Sequence, residues 1–272
     1  MDALQTIAYV TTSTSTSTST STSTPASASA SASASASARK AANNAWAANL
    51  LLALAAAAAA LPLHAQVPPA ATEAAAYQGL HAAAHQGDLA AIQRLAVNRA
   101  ALETRDGAGR TPLHVATFGR QHKAVQALLL AGADHAALEH GRYDAVTIAA
   151  VADDEEALRL LLAGGASASL ETSRYDGTAL IAAAHLGHDG VVRQLIKAGA
   201  PLDHVNNLHW TAVIEAIVLG DGGPRHQTTL KALLDAGAST QLADRSGATP
   251  LQLARSRGYT AMVRMLQAAG AR

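Results

Sequence analysis

The 272-residue sequence predicts an all-α solenoid of about six helix-turn-helix repeats with short hairpin fingers, and three observations carry that reading. Apolar residues Leu80, Leu113, Val146, Leu180, Val213 and Leu251 recur at steps of 33, 33, 34, 33 and 38 residues. A small-residue corner returns at Gly132, Gly165, Gly199, Gly237 and Gly270. A helix-opening motif, RTPLHVA from Arg110 and ATPLQLA from Ala248, returns more loosely as GTALIAA from Gly177 and WTAVIEA from Trp210. Self-similarity at such a period marks a repeat architecture, in which each unit buries its apolar face only against its neighbours.

Each recurring letter has a physical reason. Thr111, Thr178, Thr211 and Thr249 stand where a hydroxyl caps a helix N-terminus, and Pro112 and Pro250 follow at a first-turn position that needs no amide hydrogen. Ala116, Ala183, Ala216 and Ala254 are small, as close-packed neighbouring helices require. Leu128, Leu161, Leu195, Leu233 and Leu266 give the second helix of each copy its apolar face. The corner glycines fit a left-handed cap that ends the second helix. The acidic run Asp153 to Glu156 falls between the two helices of the third copy and opens the second, where negative charge complements the helix dipole.

The 33-residue period with T-P-L-H-x-A resembles the ankyrin repeat over residues 78–272. That resemblance implies a turn followed by two antiparallel helices in each copy. His81 and His114 occupy the histidine slot of the motif and read as scaffold imidazoles bonded to their own turns.

The stretch RYDGTALIAAAHLGHDG, residues 174–190, crowds Arg174, Asp176, Thr178, His185 and His188 together. The repeat accounts for most of it: Thr178 as a cap, Asp176 in the finger before the cap, His188 at the turn between helices. His185 and His188 are spaced to share a metal, but the repeat places no third ligand beside them, so no metal or other cofactor is expected. An alternative reading makes the chain a hydrolase using His185, His188 and Asp176.

The first 65 residues differ in kind. Residues 1–38 are dominated by alternating Ser, Thr and Ala, which offer little apolar surface against the entropy of ordering and read as disordered. Residues 39–65 open with Arg39 and Lys40, run through uninterrupted Leu and Ala over 50–61, and end at Leu63, His64 and Ala65. These are the parts of a secretory signal peptide cut before Gln66, with an uncleaved anchor as the alternative. The apolar run is short for a membrane span, so no stable span is expected after cleavage. Residues 66–77, with Pro68 and Pro69, read as a linker ahead of the repeat domain.

Removing residues 1–65 takes Arg39, Lys40 and Asp2 from the 20 basic and 20 acidic side chains and leaves 18 and 19. No basic cluster appears, so nucleic acid is not an expected partner. The chain has no cysteine, which excludes a disulfide framework and thiol catalysis.

If the repeat explains the motifs, function lies in what varies between copies along the concave face. Tyr143, Tyr175 and Trp210 fall in the fingers of consecutive copies, flanked by Arg142, Arg174 and His209. Tyr, Trp and Arg are the residues favoured at interface hot spots. The fifth copy carries five extra residues within LGDGGPRHQTT, 219–229, which leaves Arg225 and His226 for contact. The segment from Asp203 to His226 is similar to exported bacterial ankyrin-repeat proteins, some of which are linked to periplasmic protection against peroxide through catalase. The expectation is a non-catalytic protein-binding module, periplasmic or secreted and monomeric. Its binding residues would be Arg142, Tyr143, Arg174, Tyr175, His209, Trp210, Arg225 and His226. An effector acting on a host protein differs from this only in destination.

Overall fold

Caps and corners set the helix boundaries. Thr178 Oγ1 accepts from the Ile181 amide at 3.4 Å and Thr211 Oγ1 from the Ile214 amide at 3.3 Å. In the third copy Asp144 takes the threonine's place and accepts from the Thr147 amide at 2.8 Å. Pro112 and Pro250 sit in first turns, where a missing amide hydrogen is harmless. At the other end, Gly132, Gly165, Gly199, Gly237 and Gly270 hold φ between 82° and 95°, the left-handed conformation in which a side chain would cost about 1–2 kcal/mol.

The computed structural model describes residues 66–272, and the disordered, signal-peptide and cleavage expectations for 1–65 lie outside the described residues. The described chain forms fourteen helices. They are α1 (Ala71–Ala76), α2 (Gly79–Gln86), α3 (Leu89–Leu95), α4 (Arg99–Leu102), α5 (Pro112–Phe118), α6 (His122–Leu130), α7 (Ala145–Val151), α8 (Glu155–Ala163), α9 (Ala179–Leu186), α10 (Asp189–Lys197), α11 (Ala212–Val218), α12 (Pro224–Asp235), α13 (Pro250–Ser256) and α14 (Thr260–Ala268). Twelve of them make the six expected pairs, with α1 and α4 as short additions. First helices stack in the order α2, α5, α7, α9, α11, α13, and second helices in the order α3, α6, α8, α10, α12, α14.

One continuous apolar core runs along the stack. Ala116, Ala183, Ala216 and Ala254 are fully buried between first helices, and Leu128, Leu161, Leu195, Leu233 and Leu266 are fully buried beneath second helices. Asp154 caps α8 through the Ala157 amide at 3.0 Å, while Glu155 and Glu156 lie in its first turn, so the acidic run opens that helix as expected.

The stretch 66–77, read from its prolines as a linker, contains α1 and is tied to the second copy. Arg110, whose side chain is 2% exposed, donates to Glu73 at 2.8 Å, to Asp106 at 2.7 Å and to the Val67 carbonyl at 3.1 Å. Tyr77 Oη donates to the same Asp106 at 2.6 Å.

The expected hairpin fingers are tight turns rather than strand ladders. Among the described residues the isolated β-bridge is Thr172 with Gly177, antiparallel. Elsewhere a residue at the finger base closes the turn by its amide: Asp106 to the Arg110 carbonyl, Glu139 to Tyr143, Asn206 to Trp210 and Asp244 to Ala248, at 3.0–3.1 Å. A finger of this length is too short to build a ladder, and side-chain acceptors fill the gap. Asn206 Oδ1 accepts from the Leu208 and Trp210 amides at 3.0 Å, and Asp244 Oδ1 accepts from the Ser246 and Ala248 amides at 2.9 Å.

Candidate protein-binding surface

The fingers are laced into a row. The His140 amide donates to the Ala108 carbonyl at 3.0 Å, Ser173 to Arg142 at 2.8 Å and Asn207 to Tyr175 at 2.9 Å, so each backbone tip hangs from the one before it. Arg245 Nη2 extends the row by donating to the Asn207 carbonyl at 2.8 Å. The histidine slots brace the row from beneath. His81 Nε2 donates to the Arg110 carbonyl at 2.9 Å, and His114 Nε2 donates to the Tyr143 carbonyl at 3.2 Å. Both imidazoles therefore reach the finger of the next copy; only His114 also bonds its own turn, through Nδ1 and Thr111. Burial pushes the His114 ring down to about 4, so it works as a neutral strut.

The sequence-predicted residues divide between this row and another part of the molecule. Arg142 is exposed at a tip with φ 65° and donates through Nη1 to Asp176 at 3.0 Å on the neighbouring finger. His209 is exposed at the matching tip with φ 64°. Arg174 is exposed with its guanidinium 6.0 Å from the Tyr175 ring centroid. Tyr143 and Trp210 share one position, directly before their helix caps Asp144 and Thr211, and both are half-buried. Tyr175 stands outside that register. The fourth finger closes over one residue more, from Thr172 to Gly177, so Gly177 takes the pre-cap place and Tyr175 moves toward the tip. Tyr77 and Tyr259 use their hydroxyls inside the fold, on Asp106 and the Gly220 carbonyl. Among the described residues, Tyr143, Tyr175 and Trp210 enter the hydrogen-bond network only through backbone atoms.

Arg225 and His226, which the sequence offered for contact, are both bonded within the fold, Arg225 with its side chain still 56% exposed. Arg225 Nη2 donates to Asp153 at 2.7 Å and its Nε to the Gly187 carbonyl at 3.1 Å. His226 bonds the His185 carbonyl and Asp221, each at 2.8 Å. They are tied up because the insertion folds back onto the stack.

The hydrolase residues are not assembled. Asp176 is engaged by Arg142, and its carbonyl accepts from His204 Nε2 at 2.6 Å. His188 Nδ1 donates to the Ala150 carbonyl at 2.9 Å, while His185 Nδ1 lies 3.8 Å from Glu215 Oε2. Each of the three thus has a different partner. Among the described residues no group of three or more His, Cys, Asp or Glu could hold a metal ion.

Sequence reasoning passed over Glu215. It is 3% exposed on α11, accepts from Asn206 Nδ2 at 3.0 Å through Oε1, and has no hydrogen-bond partner for Oε2. Burial pushes its carboxyl up to about 8, against the smaller opposite pull of Asn206. A signal was present: the other copies hold Ala82, Val115, Ile148, Ala182 and Leu253 in that slot, and a carboxylate there breaks the pattern.

A stack of helix pairs bearing a row of laced fingers defines a repeat scaffold whose variable surface is displayed rather than enclosed. Similarity to known proteins gives the family. A family model for ankyrin repeats (3 copies) matches residues 41–139, 80–171 and 146–244, and the chain belongs to the ankyrin-repeat family. It is 36% identical over 190 residues to the ankyrin repeat protein YahD of Escherichia coli (strain K12), covering 70% of this chain and 94% of that one. A crystal structure of an ankyrin repeat domain from Acinetobacter baumannii AYE superimposes with a TM-score of 0.68 at 42% identity, covering 71% of this chain and 98% of that chain. The ankyrin repeat domain of Bcl-3, described as a unique member of the IkappaB protein family, gives a TM-score of 0.66 at 28% identity over 72% of this chain and 88% of that one. The chain is thus an ankyrin-repeat protein built on this scaffold.

Proposed function

We propose that the protein binds another protein along the finger tips of the third to fifth copies, through Arg142, Tyr143, Arg174, Tyr175, His209 and Trp210. One observation carries this reading. Gly109 and Gly247 hold φ 77° and 82° at the tip slot of their fingers, whereas Arg142 and His209 hold φ 65° and 64° at the same slot. A side chain in that conformation costs about 1 kcal/mol that glycine avoids, and strain of this kind concentrates where exposed groups serve a function. Rings with unused polar atoms beside those tips add contact area of the type that anchors interfaces.

The test is capture of the partner by the repeat domain and by a Tyr175→Ala, Trp210→Ala variant. The variant keeps the parent's circular dichroism spectrum and binds weaker by roughly 2 kcal/mol. A variant that binds as well as the parent, or that unfolds, assigns the rings to packing.

The module acts in the periplasm or outside the cell in this reading, supported by the signal-peptide pattern of residues 39–65. Amino-terminal sequencing of envelope protein tests it: a start at Gln66 supports export, and full-length cytoplasmic protein alone rejects it. The link to peroxide protection rests on the similarity of residues 203–226 to exported relatives. It predicts that deletion of the gene sensitises the source bacterium to peroxide.

A further inference from the structure

The insertion of the fifth copy reaches past its nearest neighbour in the stack. Its eleven residues, 219–229, bond to three other copies, the third, fourth and sixth. Arg225 crosses the fourth copy to reach Asp153 in the third. The His226 ring packs so closely on the backbone that a Cβ added to Gly187 or Gly220 would lie 3.1 Å or 2.6 Å from it. Tyr259, at the start of α14, closes the far side by donating to the Gly220 carbonyl at 2.9 Å.

The His226 bonds have a chemical requirement. Nε2 faces the His185 carbonyl and Nδ1 faces Asp221 Oδ1, each at 2.8 Å. A carbonyl and a carboxylate only accept, so both ring nitrogens must carry a proton for both bonds to exist. The clasp is complete only around an imidazolium. We propose that this insertion is a proton-dependent clasp: with His226 doubly protonated it holds the third to sixth copies as one block, and loss of that proton loosens the fifth copy from the fourth.

The surrounding groups agree in sign. On its own element, Arg225 points away to Asp153 and Asp189, leaving Asp221 as the carboxylate on the ring. The Gly223 amide, followed by the His226 ring, holds Asp221 below the usual carboxylate range, so it stays anionic. From α9, the His185 ring is kept neutral, pushed down to about 4 by burial and then by the nearby His226 and His188. From α11, Glu215 is buried and protonated at neutral pH, and it becomes an unpaired buried anion as pH rises through about 8. Raising the pH therefore weakens this junction twice, once at His226 and once at Glu215. The inference does not depend on the identity of any partner.

The decisive readouts are the ring nitrogens of His226 by 15N NMR and amide exchange in 222–229, converted to protection factors. In a titration begun at about pH 6 both ring nitrogens should be protonated while the segment is fully protected, and protection should fall about tenfold relative to α5 and α6 in step with the loss of one of those protons, the loss of one charge-assisted bond. His226→Gln keeps one donor for the His185 carbonyl; its protection should be low at pH 6 and flat with pH. Glu215→Gln should retain the fall. A singly protonated ring at pH 6, a flat parent profile, a His226→Gln profile that follows the parent, or a fall abolished by Glu215→Gln each overturns the proposal. If His226→Gln does not fold, the ring nitrogens and the parent profile decide alone.

Discussion

Arg225 and Asp153 are separated by 72 residues of sequence, and their side chains meet at 2.7 Å. In a linear stack, contacts pass from one copy to the next, so stability approximates a sum of nearest-neighbour interfaces. This pair breaks that rule by joining the third copy to the fifth. The insertion makes it possible, because its extra residues carry the start of α12 back over the turn at Gly187.

Removing the bridge has a measurable consequence. Arg225→Ala should destabilise the domain by about 1 kcal/mol, a modest figure because the guanidinium is 56% exposed and the pair is screened by solvent. Thermal denaturation of Arg225→Ala, Asp153→Ala and the double variant measures the coupling. Full additivity would mean that the bridge contributes nothing.

The finger tips permit the opposite experiment. His209→Gly relieves a left-handed backbone and should raise stability by about 0.5–1 kcal/mol while weakening partner capture. A loss of stability would show that the imidazole is a packing residue.

The buried titratable groups give the domain a bell-shaped stability profile. His114 and His185 have folded values near 4, below the unfolded 6.5, so the unfolded chain binds more protons in that window and stability is lost as pH falls through it. Glu215 runs the other way. Its folded value near 8 exceeds the unfolded 4.5, so the folded state holds the extra proton and stability is lost as pH rises toward 8. The maximum should lie near pH 6.5, with a net alkaline fall to pH 8 of about 1 kcal/mol. Urea titrations across this range check it, and Glu215→Gln should shrink the alkaline limb while leaving the acid limb unchanged.

Position along the stack should govern tolerance of a buried charge. Leu161 and Leu266 are both fully buried, yet α8 is flanked by second helices on both sides and α14 on one. Leu161→Asp should abolish folding, whereas Leu266→Asp should fray the last copy and leave the rest cooperative. Equal loss of melting temperature at the two sites would contradict a stack with nearest-neighbour coupling.

The sequence by itself determined whatever is decided within a few residues. Thr178, Gly199 and Leu195 announce a cap, a corner and a core face because hydrogen bonding, backbone sterics and helical periodicity act locally. Repetition multiplies each local signal, so the six copies are legible in the order of residues alone. The finger row was legible in part: Arg142, Tyr143, His209 and Trp210 lie where the repeat places them, while one additional residue in the fourth finger moved Tyr175 out of register. Only the tertiary structure decided that Arg110 ties down residues 67–73, that Asp176 serves the fingers, and that Arg225 and His226 are bonded within the fold. Those bonds join residues 34–72 apart, and their geometry depends on how each copy is rotated and spaced against the next. That arrangement is set by the packing of all the interfaces together, which no single repeat encodes.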